Sequence, residues 1–150
     1  MTILCLFVFK NSFSCSKINF KKKEILIVNQ KNFNFRFNVD VADTPSKRMT
    51  GLQCRKKINK NEGMLFIWDQ EDFRNFWMKN TLFPLDIIFI NKSKVIVDIF
   101  YNAKPLNLNL ISSKKKTKYV LELNSGVLSF YKLKIGDKII FENDKVSFNY

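Results

Sequence analysis

The segment FWMKNTLFPLDIIFI, residues 76–90, decides how this chain folds. Pro84 fixes its own φ angle and disfavours the helical conformation for Phe83, so the chain before it must be extended or turning. The six residues from Leu85 to Ile90 form a short apolar run rich in branched side chains, which is typical of a strand buried on both faces. The segment therefore predicts a turn that leads into a central strand of a sheet.

One carboxylate interrupts this apolar strand. Asp86 is its second residue, and a buried carboxylate must find a partner or shift its pKa, because an unpaired buried charge is costly. Lys79 and Asn80 lie a few residues away across the turn, and we expect them to face Asp86. The alternative is a structural role in which Asp86 accepts hydrogen bonds from backbone N–H groups of its own turn.

The composition predicts one globular domain. A chain of 150 residues, 46% of them hydrophobic, can bury one core and is too short for two ordinary domains. The net charge of +13 is compatible with a nucleic-acid ligand. However, the chain contains 22 Lys and 17 Asn against 4 Arg and 2 Ala, a set that an AT-rich coding sequence produces. We therefore do not favour nucleic acid as a partner.

Histidine is absent from the chain. This removes the commonest metal ligand and the commonest general base, which disfavours zinc hydrolases and Ser-His-Asp or Cys-His catalysis. The three cysteines, Cys5, Cys15 and Cys54, have no CxxC spacing and do not indicate a metal site or a redox pair. The sequence predicts no metal and no cofactor.

The amino-terminal residues resemble a secretory signal. Residues 2–9 are an apolar run, too short for a membrane-spanning helix of about 20 residues, and Ser12 and Ser14 supply small side chains for cleavage. No Lys or Arg precedes the run, so the signal is weak or begins upstream. We expect a leader over residues 1–16, one domain over residues 17–150 without a transmembrane span, and an exported periplasmic or envelope protein. The alternatives are a lipoprotein modified at Cys15 and a cytosolic protein.

Alternating side chains predict the clearest strand outside this segment. In residues 33–41 apolar and polar residues alternate, which places one set on the core face of a half-buried strand. That set is Phe33, Phe35, Phe37, Val39 and Val41.

A helix is expected directly after this strand. Thr44 is a good capping residue and Pro45 is favourable at the first helical position. We expect the helix to run to about Gln53, with Gly51 inside it.

The remaining pattern defines the fold class. Further strands are expected over residues 63–68, 73–79, 95–101, 119–123 and 138–141, and an edge strand over residues 146–150, with a second helix over residues 127–133. About eight short strands and two short helices without a βαβ rhythm predict an α+β domain, mainly antiparallel, as a sheet or a partly closed barrel.

Several motifs resemble, in order, the domain-of-unknown-function 192 family over residues 25–141. The string FWMKNT, followed by PLD at residues 84–86, is the most specific of them, and the others are VADTP, MTGL with Arg55, GMLF, VLEL and GDK. The resemblance implies a compact, strand-rich domain of a kind often exported by bacteria and archaea. It implies no catalytic residues.

Side chains around the turn are candidates for ligand binding. Trp77 and Met78 would point to opposite faces of a strand, so we expect one in the core and the other along a groove, although both could be core residues. Glu122 points away from its apolar neighbours, toward either solvent or the turn. The candidates are Arg55, Trp77, Met78, Lys79, Asn80, Asp86 and Glu122.

Arginines stand out in a lysine-rich chain. Arg48 and Arg55 are expected either to pair with Asp86 or Glu122 as buried bidentate partners or to form an anion site.

Two functions fit these residues. The first is an exported, non-enzymatic module that binds an envelope glycan or an anionic ligand at the turn from Trp77 to Asp86. The alternative is a glycan hydrolase or lyase that uses Asp86 and Glu122 as a carboxylate pair, which requires the two groups to lie within about 10 Å of each other.

Three basic runs, at residues 21–23, 56–57 and 114–116, fall in presumed surface segments. They are expected to be solvated, and peripheral attraction to an acidic envelope surface is the alternative.

Overall fold

The computed structural model describes residues 18–141, and these residues form nine strands and two short helices. The elements are β1 (Lys21–Val28), β2 (Asn34–Ala42), α1 (Pro45–Thr50), β3 (Glu62–Asp72), β4 (Asn75–Phe76), β5 (Leu85–Ile90), β6 (Ile96–Ala103), β7 (Ile111–Ser112), β8 (Thr117–Asn124), α2 (Val127–Tyr131) and β9 (Lys138–Phe141). The predicted leader and the predicted edge strand over residues 146–150 lie outside the described residues.

Seven strands form one curled sheet in the order β6-β5-β8-β3-β2-β1-β9, and β4 pairs with β7 in a small second sheet. The curl brings the two outer strands together, because Ile96 N donates to Asp137 O at 2.9 Å and Ile139 N donates to Lys94 O at 2.8 Å. The predicted α+β class and partly closed barrel are confirmed. The sheet is mixed, since β2 and β3 run parallel with α1 in the connection between them.

The central strand β5 is buried along its whole length, as predicted. Its side chains alternate between two cores. Ile87 and Phe89 pack on one face, called here the pocket face, and Ile88 and Ile90 pack on the other, called the helix face because α2 covers it.

Helix α1 is shorter than predicted. Thr44 caps it as expected, since its Oγ1 accepts from Lys47 N at 3.3 Å and Pro45 follows. The helix ends at Thr50 because Gly51 has a φ of 51°, a left-handed value that favours glycine. Gly51 is therefore a C-cap and not an interior helix residue.

Two other expectations for the chain were wrong. The predicted strand over residues 73–79 is reduced to β4, because Met78 N donates to Asn107 O and Asn80 turns the chain with a φ of 55°. Phe33 precedes β2 and is 61% exposed, whereas Phe37 is buried as expected.

Candidate functional site

A pocket of about 430 Å³ opens on the pocket face of the sheet. It lies between α1 with its following residues on one side and β4 with the Trp77–Thr81 turn on the other, and its floor comes from β3 and β8. The lining residues are Pro45, Arg48, Met49, Thr50, Gly51, Leu52, Gln53, Phe66, Trp68, Asn75, Phe76, Trp77, Lys79, Thr81, Leu110 and Glu122.

Aromatic rings form one wall of the pocket. Phe66 stacks against Trp68 with 6.2 Å between ring centroids, and Phe76 contacts Phe66 edge-on at 5.0 Å. Trp77 is 45% exposed at the rim. Such a wall suits a flat ring or an aliphatic group of a ligand.

Two cations line the same pocket. Arg48 Nη1 donates to Ile67 O at 2.7 Å, and the Arg48 guanidinium lies 5.2 Å from the Trp68 ring centroid. Lys79 Nζ lies 5.2 Å from the Trp77 ring centroid. Both charges are held against aromatic rings, which leaves them available to an anion in the pocket.

Glu122 lies at the floor of the pocket. On β8 it stands between Met64 of β3 and Ile87 of β5, and it is only 5% exposed. Within residues 18–141 its carboxyl group makes no hydrogen bond and no ion pair. Burial raises the pKa of Glu122 to about 8, although the charge of Arg55 acts in the opposite direction. At neutral pH the group is therefore mainly a neutral acid that can donate a hydrogen bond.

Arg55 is committed to another carboxylate. Its Nη1 lies 2.6 Å from Asp40 Oδ2, and Lys22 Nζ approaches the other oxygen of Asp40 at 3.9 Å. The predicted pairing of Arg55 with Asp86 or Glu122 is wrong, because Asp40 on β2 is its direct partner. The alternation along β2 predicts that Asp40 lies on the polar, exposed side of the strand. Asp40 is buried because loop residues that follow α1 cover that side.

Asp86 has a different environment from the one expected. It is 1% exposed, and its Oδ1 accepts from Asn102 N at 3.0 Å while its Oδ2 accepts from Gly126 N at 3.0 Å and from Leu128 N at 3.4 Å. These donors belong to β6 and to the start of α2. The expectation that Lys79 and Asn80 hold Asp86 is therefore wrong, and Asp86 does not line the pocket.

The predicted carboxylate pair is also wrong. Asp86 stands opposite Leu123 in the ladder between β5 and β8, and Glu122 stands opposite Ile87. Paired residues of an antiparallel ladder share a face and successive residues alternate, so the two carboxyl groups point to opposite sides of the sheet.

The other candidates divide into lining and supporting residues. Met78 is 1% exposed in the core while its neighbour Trp77 lines the pocket, which confirms the prediction that they point in opposite directions. Asn80 supports the rim from outside, since its Nδ2 donates to Gln53 Oε1 at 3.2 Å and its carbonyl accepts from Cys54 N at 2.9 Å. Gln53 also lines the pocket, but the sequence did not indicate it as a site residue. Its contact with Asn80 joins positions 27 residues apart in the chain, which local patterns do not reveal.

Within residues 18–141, no group of three or more His, Cys, Asp or Glu side chains is arranged to hold a metal ion. No helix of this part of the chain is long and apolar enough to cross a bilayer. Cys54, the one cysteine in this range, is disulfide-bonded.

This arrangement defines a class of small β-rich domains with a pocket beside a curled sheet and a buried acid at its floor. The family model DUF192, described as Uncharacterized ACR, matches residues 26–141. The chain therefore belongs to the DUF192 family.

Relatives share both sequence and fold with the chain. A UPF0127 protein of Thermococcus sibiricus is 32% identical over 106 residues, which cover 69% of this chain and 66% of that protein. A UPF0127 protein of Pyrococcus abyssi is 29% identical over 120 residues, covering 77% of this chain and 95% of that one.

Two crystal structures are similar to the whole domain. A proposed transcription regulator from Sinorhizobium meliloti 1021 matches with a TM-score of 0.82 and 31% identity, over 84% of this chain and 98% of that one. A protein of unknown function from Novosphingobium aromaticivorans matches with a TM-score of 0.76 and 30% identity, over 79% of this chain and 84% of that one.

Proposed function

We propose that this protein is an exported module that binds a small organic anion of the cell envelope in the pocket above Glu122. The observation that carries the proposal is a buried carboxyl group with no hydrogen-bond partner in residues 18–141. The carboxyl oxygens are open to the pocket, since the buried side-chain atoms without a partner among these residues are Arg74 Nε and Thr117 Oγ1. A ligand in the pocket can therefore reach Glu122 and accept a hydrogen bond from it.

The charges around the pocket favour an anion. Arg48 and Lys79 are positive, and Glu122 is the one carboxyl group among the described lining residues. Because Glu122 is mainly protonated at neutral pH, the lining is net positive and donates hydrogen bonds. A carboxylate attached to a sugar ring or to an aromatic ring would meet these donors with its charge and the Trp68 and Phe76 wall with its ring.

One feature of the sequence supports export. Residues 2–9 have the length and apolar character of a signal core. An exported protein would meet uronic acids and other carboxylated envelope components, which match the proposed ligand class.

Nucleic acid is a poorer match. The Sinorhizobium relative is named as a transcription regulator. Helical DNA-binding proteins insert a recognition helix into the major groove. The longest helix in residues 18–141, α1, has six residues. The positive charge of the chain follows its overall lysine richness.

The proposal is tested by NMR titration of the labelled protein with glucuronate and benzoate, using glucose and benzyl alcohol as neutral counterparts. We expect the anions to shift the amide signals of Gly51, Trp77 and Lys79 and the neutral compounds to shift them at least about tenfold less at equal concentration, because each loses a charge-assisted bond. Shifts confined to residues outside the lining, or equal shifts from both members of each pair, would contradict it.

Two substitutions at one position refine this test. Glu122→Gln preserves the shape and the hydrogen-bond donor of the protonated acid, so we expect binding close to wild type at neutral pH. Glu122→Leu removes the donor and should weaken binding about tenfold. Equal binding by the two variants would mean that Glu122 does not contact the ligand.

A catalytic role is the second candidate, and the protonated state of Glu122 favours it. A neutral acid in a pocket can protonate a leaving oxygen of a bound glycan. The two-carboxylate mechanism with Asp86 is not available. In this version Glu122 protonates the leaving oxygen as the glycosidic C–O bond breaks, and water adds to the anomeric carbon and returns a proton to the Glu122 carboxylate. Turnover of a bound oligosaccharide that Glu122→Gln abolishes while it retains binding would establish the enzyme.

A further inference from the structure

A second surface combines exposed aromatic rings with lysines. It is formed by the β1–β2 turn and by the end of α2 with its following loop, and we call it the tip face. Its groove of about 470 Å³ is lined by Lys31, Phe33, Phe130, Lys132 and Lys134, together with polar and half-buried residues. Phe33 is 61% exposed and Phe130 is 77% exposed. Two large exposed aromatic rings beside one groove are uncommon on a surface that binds no partner.

The tip face is built rigidly. Asp137, 1% exposed, joins the two segments, since its Oδ1 accepts from Gln30 N at 3.1 Å and its Oδ2 accepts from Lys134 N at 2.8 Å. Gln30 Nε2 donates to Ile135 O at 3.1 Å. Tyr131 packs against Phe35 behind the groove with 4.6 Å between ring centroids. The two backbone segments that carry the exposed rings and lysines are therefore held together.

The charges of the tip face favour an anionic partner. The described groove lining contains three lysines and no acidic residue. None of the three makes an ion pair within residues 18–141. The amide side chains of Asn29 and Gln30 are used internally, because Asn29 Oδ1 accepts from Lys31 N and Phe33 N. What remains for a partner is apolar surface surrounded by positive charge.

We propose that the tip face docks on an anionic lipid membrane. Phe33, Phe130 and the 55% exposed Ile135 would enter the boundary between headgroups and acyl chains, while the lysines contact anionic headgroups. A second copy of this chain is a worse occupant, because self-pairing would bring six lysines together without an acid. A soluble polyanion would engage the lysines but would leave the rings in water.

The tip face and the ligand pocket lie on different sides of the sheet. Phe35 and Tyr131 behind the groove pack against the core of the helix face, whereas Glu122 and its pocket lie on the opposite face. Docking by the tip face would leave the pocket open to ligand beside the membrane.

The test is co-sedimentation of the full chain with vesicles of phosphatidylcholine mixed with phosphatidylglycerol, and with vesicles of phosphatidylcholine alone. Lys31→Gln, Lys132→Gln and Lys134→Gln together should weaken binding to the anionic vesicles about 100-fold, since each surface lysine contributes about fivefold. Phe33→Ser with Phe130→Ser should weaken it at least about tenfold. The matched controls are Lys56→Gln, Lys57→Gln and Lys104→Gln together, with the same change in charge, and Phe73→Ser, an exposed ring elsewhere.

Two results would overturn the proposal. One is an equal loss of binding in the control lysine variant, which would show attraction to net charge alone. The other is a loss with the lysine variant but none with the phenylalanine variant, which would indicate a soluble polyanion.

A second measurement reports on the tip face itself. Lipids with brominated acyl chains should quench the added fluorescence of Phe130→Trp and not that of Phe73→Trp. Equal quenching of the two tryptophans would mean that another part of the chain meets the bilayer.

Discussion

Asp86 and Glu122 are two buried carboxyl groups on adjacent strands of one sheet, and their environments are opposite. Asp86 points to the helix face and accepts three backbone hydrogen bonds from β6 and α2. Glu122 points to the pocket face and has no such partner in residues 18–141. The fully bonded group stabilises the fold, whereas the unbonded group retains its capacity for a ligand.

The largest effect is expected on the Asp86 side of this comparison. Asp86→Ala removes the acceptor from the part-buried N–H groups of Asn102 and Gly126 and from the buried N–H of Leu128, and we expect the free energy of unfolding to fall by roughly 3 kcal/mol or more. Urea denaturation measures this change. The control is Asp69→Ala, an exposed acid on β3, which should change it by less than about 0.5 kcal/mol. A similar change in the free energy of unfolding for the two variants would contradict the structural role of Asp86.

A smaller, pH-dependent effect is expected at Glu122. Its pKa in the folded protein, about 8, lies above its ordinary value of 4.5, so the folded protein binds the proton more tightly than the unfolded chain. Stability contributed by the protonated group is therefore present below pH 4.5 and is lost as the pH rises to about 8.

Glu122→Gln has no proton to lose in this range, so its stability should exceed that of wild type at alkaline pH and approach it in acid. Thermal unfolding across the pH range measures the difference. Glu24→Gln, at an exposed ion pair with Arg36, is the control for general loss of charge. Parallel curves for wild type and Glu122→Gln would contradict the unbonded state of Glu122.

The smallest effect on stability is expected at the pocket rim. Trp77→Ala removes a ring that is 45% exposed, so the free energy of unfolding should fall by less than about 1 kcal/mol while binding of glucuronate or benzoate weakens. Its neighbour Met78 is buried, and Met78→Ala should cost about 2 kcal/mol or more. A reversed order of the two variants would place Trp77 in the core.

The sequence predicted local structure better than the contacts of the site. The buried strand after Pro84 and the Thr44–Pro45 helix start depend on neighbouring residues, and both are confirmed. The helix is shorter than predicted because Gly51 adopts a left-handed conformation and ends it. Glycine commonly has this role at helix ends, but the sequence pattern continued past Gly51 and placed it inside the helix.

The partners of the buried acids could not be predicted in the same way. The donors to Asp86 lie 16, 40 and 42 residues away along the chain, so its environment depends on how β5, β6 and α2 pack. Proximity in sequence favoured Lys79 instead. For Glu122, the alternation along β8 correctly separated it from Leu121 and Leu123, but only the ladder with β5 shows that it faces away from Asp86.

The most direct test of the Glu122 pocket is a carbon-13 NMR titration of the glutamate carboxyl groups, with Glu122→Gln used to assign the signal. We expect Glu122 to titrate with a pKa near 8 in the free protein and its signal to shift when glucuronate or benzoate is added. A pKa near 4.5, with no response to either anion, would contradict a protonated, unbonded acid that awaits a ligand.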